Sequence, residues 1–142
     1  MVEASPDAVV LQPIPVAEFP IGNKSMNTHI HLLESFTQPY RIWQDDALRQ
    51  RLEARVAINR DKISIQPGVM NLYFTYHWRA IPDHDSYGHD IESAHLMLEA
   101  EAVLGRGHDP KTERTARLLV DHALANGWDE DGQRGKSSMK GW

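Results

Sequence analysis

Apolar residues recur at helical spacing in four stretches of this chain, and a short run at strand spacing divides them into two pairs. From Lys24 to about Trp43, Met26, Ile30, Leu33 and Thr37 fall at i, i+4, i+7 and i+11 and make one mostly apolar face. Pro39 predicts a kink or an end to the regular helix nearby. Asp45 or Asp46 can cap a second helix reaching about Asp61, with Leu48, Leu52, Val56 and Ile63 on its apolar side and Arg49, Arg51, Glu53 and Arg55 on its wet side. Pro67-Gly68 marks a turn. In Val69 to Trp78, Leu72, Phe74 and Tyr76 alternate with Tyr73, Thr75 and His77, which predicts one short strand or half a hairpin. A third helix is expected from about Gly88 to Leu104, closed by Gly105 and Gly107, with Ile91, Ala94, Leu98 and Ala102 as its apolar stripe. Asp109-Pro110 opens a fourth, whose apolar face is Ala116, Leu119, Val120, Ala123 and Leu124, and Gly127 ends it.

The expected order is helix, helix, short β excursion, helix, helix: an all-α fold of two helical hairpins. The pattern fits a closed bundle and a section of a larger α/α array equally well. Residues 1–23, with Pro6, Pro13, Pro15 and Pro20, read as an irregular arm. Residues 24–132 read as the folded part, and 133–142 as a small, polar, basic tail with little order.

The chain has 142 residues, enough for one domain with a core. Its net charge of −5, with both signs interspersed, argues against a nucleic-acid partner and an anionic-membrane surface. Without cysteine there is neither a disulfide framework nor a thiolate metal site. No run approaches the roughly 18 apolar residues of a membrane span. Met1-Val2-Glu3 brings no basic segment before an apolar run, so a cytoplasmic location is the default expectation.

The chemistry gathers at Ser86-Tyr87-Gly88-His89-Asp90-Ile91-Glu92. His89 and Glu92 stand at i and i+3, on one helix face and off the expected apolar stripe. Asn27, His31, Glu34 and Gln38 form a second polar stripe on the first helix, with amide and imidazole where a solvated face usually carries Lys and Glu. Both stripes also fit a solvated surface. His77 is placed in the strand, and His84 in a loop where it can line a site mouth. His108 and His122 are expected at the surface, and Trp43, Trp78 and Trp128 in packing roles, with Trp78 the best placed to meet a ligand.

Four segments carry a family resemblance. Lys24-Ser25-Met26-Asn27-Thr28-His29-Ile30-His31-Leu32-Leu33-Glu34 resembles the Asn-Thr-x-x-His helix of the N-acylglucosamine 2-epimerase family, most closely its cellobiose 2-epimerase branch. Ser86-Tyr87-Gly88-His89-Asp90-Ile91-Glu92 resembles that branch's Gly-His-Asp-Ile-Glu segment. Leu72-Tyr73-Phe74 with Trp78 resembles the β excursion before it, and Gly127-Trp128-Asp129-Glu130-Asp131-Gly132 the turn after the next helix. The four occur in family order over about residues 24–132.

The resemblance implies an (α/α)6 barrel of which this chain is the middle section. It implies a reducing mono- or disaccharide as substrate, bound at the barrel mouth, and no cofactor. The family's early helices with their arginine and its last helices with a second catalytic histidine have no counterpart here, and His95 stands where the family usually has tryptophan. Epimerisation at C2 removes the proton beside C1 of the open-chain aldehyde and returns it on the other face of an enediolate, work suited to histidine. By resemblance His89 is the base, Glu92 orients it, and His31 assists; Asn27, Tyr87, Asp90, His95 and Trp78 are the sugar contacts. Hydrogen-bond donors and cations can stabilise the enediolate without a metal. With one acid/base face missing, weak or no activity is expected, and exposed apolar helix faces can drive self-association.

Three rival readings remain. One is a non-enzymatic remnant or interaction module. Another is an aldose–ketose isomerase working through the same enediolate. The third is a helical metal site from His29-x-His31 and His89-x-x-Glu92, disfavoured because His29 and His31 point about 200° apart on a helix.

Overall fold

The computed structural model describes residues 23–107, 109–128 and 137–138. Residues 1–22 of the irregular arm, His108, the Asp129-Glu130-Asp131-Gly132 part of the segment after the fourth helix and most of the tail lie outside them. Four α-helices are found among the described residues, and three of them, α1, α2 and α4, start at a side-chain cap. Strand β1 (Lys24–Ser25) runs straight into α1 (Met26–Ile42), where Ser25 Oγ accepts the Thr28 N–H at 3.2 Å as N-cap. Pro39 lies inside α1, and the helix ends one turn later, with Trp43 N–H donating to Pro39 O at 2.8 Å. The bond that proline forfeits would have gone to Ser35, which is exposed, so water can replace it. Helix α2 (Asp46–Ile58) is capped by Asp45, whose Oδ1 accepts the Leu48 N–H at 3.0 Å. It unwinds into a π-helical turn, Asn59–Ile63. The buried Asn59 amide serves that turn, donating to Arg55 O at 2.8 Å and His29 O at 3.4 Å. Helix α3 covers Tyr87–Val103, and α4 covers Pro110–Asn126 with Asp109 as its cap.

The helices pair as α1 with α2 and α3 with α4, and α1 also packs along α3. One core joins Met26, Ile30 and Leu33 of α1 to Leu52 and Val56 of α2, Met97 and Ala100 of α3, and Ala116 and Leu119 of α4. The stripe expected on α3 is displaced. Ala94 is buried, but Ile91 and Leu98 are 44% and 40% exposed and Ala102 faces solvent. The face that packs inward is instead Asp90, Ser93, Ala94, Met97, Ala100, Glu101 and Leu104. Its two carboxylates are held by partners that a hydropathy pattern does not reveal. Glu101, for example, accepts from Arg106 Nε at 2.9 Å and stands 3.0 Å from the Thr112 hydroxyl.

The single strand expected between the hairpins is several two- and three-residue strands. β2 (Ser64–Gln66) pairs antiparallel with β3 (Val69–Met70), and β1 pairs with β4 (Tyr73–Phe74), which pairs with β5 (Ala80–Ile81). Tyr76 and His77 form the turn between β4 and β5, so His77 is not a strand residue. Trp78 leaves that turn at φ 64, held by its N–H bond to Thr75 O at 3.0 Å. β6 (Asp85–Ser86) leads into α3 and pairs with β7 (Ser137–Ser138), which gives this piece of the tail a defined partner.

Candidate active site

The β excursion brings the N-termini of α1 and α3 together. Ser25 pairs in register with Tyr73, and Met26 N–H donates to Leu72 O at 2.8 Å. Above this junction opens a hollow of about 400 Å³, lined by Ser25, Met26, Asn27, Leu72, Tyr73, His84, Ser86 and His89. Each helix contributes its cap serine to the wall. Ser25 Oγ is occupied by the first turn of α1, whereas Ser86 Oγ lies 2.6 Å from His89 Nδ1. Ser86 is the N-cap residue of α3 and His89 its third helical residue, so the contact joins two side chains three positions apart within the first turn. It fixes the ring by one nitrogen and leaves Nε2 for the hollow.

His84 enters from the loop between β5 and β6. Asp83 Oδ1 accepts both its backbone N–H and its Nδ1–H, each at 2.8 Å. Tyr73, 42% exposed, supplies the aromatic surface of the hollow.

Of the residues expected at a site, the hollow gathers His89 and Asn27, with His84 at its edge as the loop reading anticipated. The others lie elsewhere. Asp90 is 1% exposed and accepts the Met70 N–H at 3.1 Å, turned into the core. Tyr87 is buried, its ring 5.7 Å from that of His122. His122, expected at the surface, is thus half-buried beneath Tyr87 and the β2–β3 turn. Trp78 packs against His29 and Phe74, at 5.2 and 5.6 Å between ring centroids, a packing role. Trp43 and Trp128, also expected to pack, are 67% and 60% exposed. His31 sits on the outside of α1 with its Nδ1 3.5 Å from Glu34, and Glu92 is exposed on α3. The four groups of the metal reading are therefore dispersed: His29 is buried, its Nδ1–H given to Ser25 O at 2.8 Å. Among the described residues no cluster of three or more His, Asp or Glu is placed to hold a metal ion. None of their helices is long and apolar enough to cross a membrane.

His95 lines a second, larger hollow of about 510 Å³ between α3 and α4, with Ile91, Leu98, Ala116 and Val120. Glu113, Arg117 and Asp121 form its charged side, and it carries no other residue expected at a site from sequence. The smaller hollow is where the motif histidine His89 meets His84 and Asn27. Sequence reasoning named neither Ser25 and Ser86 nor Tyr73 as site residues. A serine before a helix signals a cap, and only the β1–β4 pairing puts Tyr73 beside Asn27.

The chain belongs to the N-acylglucosamine 2-epimerase (GlcNAc 2-epimerase) family, whose model matches residues 16–139. It is 40% identical over 83 residues to a cellobiose 2-epimerase of Bacteroides fragilis, covering 58% of this chain and 21% of that protein. Against a cellobiose 2-epimerase of Ruminococcus albus it is 30% identical over 112 residues, 78% of this chain and 29% of the relative. The solved cellobiose 2-epimerase of Bacillus thermoamylovorans superposes with a TM-score of 0.77 at 30% identity, over 88% of this chain and 34% of that structure. A sugar epimerase from a ruminal bacterium superposes with a TM-score of 0.70 at 28% identity, over 84% of this chain and 31% of the other. The fold is thus a section of an (α/α)6 barrel. The chain spans between about a fifth and a third of the length of these relatives.

Proposed function

We propose that this chain carries one acid/base wall of a sugar 2-epimerase, acting at C2 of a reducing mono- or disaccharide. The observation that supports this most is the hollow in which His89, held through Nδ1 by Ser86, stands with Asn27. In this reading Nε2 of His89 takes the C2 proton of the open-chain aldehyde. The C–H electron pair becomes the C1–C2 double bond, and O1 takes up the carbonyl pair and a proton to give the enediol. Asn27 holds a sugar hydroxyl, and Tyr73 offers an apolar face to the sugar ring. The positive ends of α1 and α3 both favour the charge that develops on O1. Return of the proton to the other face of C2 completes epimerisation. Return to C1 instead gives the ketose.

The test is proton NMR of the folded chain with cellobiose, glucose or mannose in D2O. Loss of the C2 proton signal that His89→Ala abolishes is the expected result, with growth of the C2 epimer where both faces are served. No exchange from a folded sample overturns the reading. The open apolar groove between α3 and α4 favours the second reading, a non-enzymatic interaction module, in which His89→Ala alters nothing but stability.

A further inference from the structure

His84 has no part in the chemistry above, yet it lines the same hollow as His89. The two rings are held differently. A carboxylate only accepts, so the bond to Asp83 Oδ1 puts the ring proton of neutral His84 on Nδ1 and leaves a lone pair on Nε2. The partner of His89 is the Ser86 hydroxyl, which can donate or accept, so that ring is free to change tautomer with its substrate. Asp83 binds the backbone N–H of His84 as well, so one carboxylate oxygen orients both the loop and the ring. Oriented by a carboxylate and open at the far nitrogen, His84 has the arrangement of a general base.

We propose that His84, positioned by Asp83, is a catalytic base that opens the ring of the bound reducing sugar, so that the protein catalyses anomerisation separately from exchange at C2. The proposal rests on the reading of the hollow as a reducing-sugar site. Nε2 takes the proton of the O1 hydroxyl, and the freed O–H electron pair becomes the second bond of the C1 carbonyl. The C1–O5 bond breaks with its pair passing to O5, which takes a proton from water. The imidazolium returns its proton to the resulting hydroxide. Closure on the other face of C1 gives the other anomer, with no oxidant or reductant involved. The open-chain aldehyde formed on the way is the species that proton removal at C2 requires.

The full chain is assayed with freshly dissolved α-D-glucose by polarimetry, beside C2 proton exchange in D2O. Wild-type protein is expected to accelerate anomerisation over buffer. His84→Gln keeps a hydrogen-bonding side chain without a base, and is expected to lower the protein-dependent rate about 100-fold. Asp83→Asn, which frees the Nδ1 proton, is expected to lower it about tenfold and to alter the pH–rate profile, an effect that loss of structure alone does not produce. Circular dichroism checks each variant, and if one fails to fold the other decides. Wild-type protein without anomerase activity overturns the proposal, whatever happens at C2. So does a folded His84→Gln variant that keeps the wild-type rate. Anomerisation that depends on His84 without any C2 exchange leaves the proposal standing and removes the epimerase reading instead.

Discussion

The carboxylate of Asp90 accepts the backbone N–H of Met70 at 3.1 Å, deep in the core. It fastens the β excursion to the first turn of α3, one residue beyond His89. Asp90→Ala leaves a buried donor without that acceptor, and about 1–3 kcal/mol of stability is expected to be lost in urea denaturation. Asp90→Asn retains an acceptor oxygen and is expected to cost clearly less. A sugar contact at Asp90 predicts the opposite order of sensitivity, with binding lost before stability.

Gly68 turns the chain between β2 and β3 at φ +84, and a Cβ there would meet both His122 Cβ and Leu118 O at 2.7 Å. Gly68→Ala therefore combines an unfavourable backbone conformation with a clash against α4. A loss of roughly 2 kcal/mol or more is expected, read as a lower thermal midpoint.

Gly88, inside the site motif, has no such constraint: nothing lies within 4 Å of a Cβ at that position. It is a first-turn residue of α3, where alanine is the better helix former. Gly88→Ala is expected to raise stability by a few tenths and at most about 1 kcal/mol. Any loss of activity in this variant then reports crowding of the hollow rather than damage to the fold.

At the other end of α3, Arg60 bonds both oxygens of Asp61 at 2.8 and 2.7 Å, and Lys111 adds a contact at 2.9 Å. The Arg60 hydrogen bonds foremost hold the Asp61 carboxyl at about 2, against an ordinary 3.8. A folded-state value below the unfolded one makes the contribution complete above about pH 4, and it drains as pH falls towards 2. Solvent screening at this edge limits it to on the order of 1 kcal/mol. Asp61→Asn is expected to lower the urea midpoint at pH 6 and to converge on wild type as the pH approaches 2.

The helices were legible because their signals are local. Asp45 and Asp109 cap where they stand, Pro110 opens α4, and the apolar residues of α1 and α2 keep their spacing into the core. The inward face of α3 was not legible. Its stripe of Asp90, Ser93, Ala94, Met97 and Glu101 is less apolar than the one carrying Ile91 and Leu98, and its two carboxylates can be buried because Met70 meets Asp90 while Arg106 and Thr112 meet Glu101. The site divides the same way. The motif histidine could be named from its neighbours in sequence, but the company of Tyr73 and Asn27 depends on the pairing of β1 with β4, a long-range event. His31, Glu92 and His95 are on the helices that sequence assigned them, yet each faces away from the hollow that holds His89.

Asn27 and His89 belong to different hairpins, and the wall they share exists only while α1 and α3 are docked. A ligand gripping both therefore has almost nothing to bind on the unfolded chain. Its occupancy adds directly to the free energy of unfolding, by about 2.7 kcal/mol at a hundred times the dissociation constant. The melting temperature of this protein is thus a titration curve for any ligand that grips both residues, readable even where no turnover occurs.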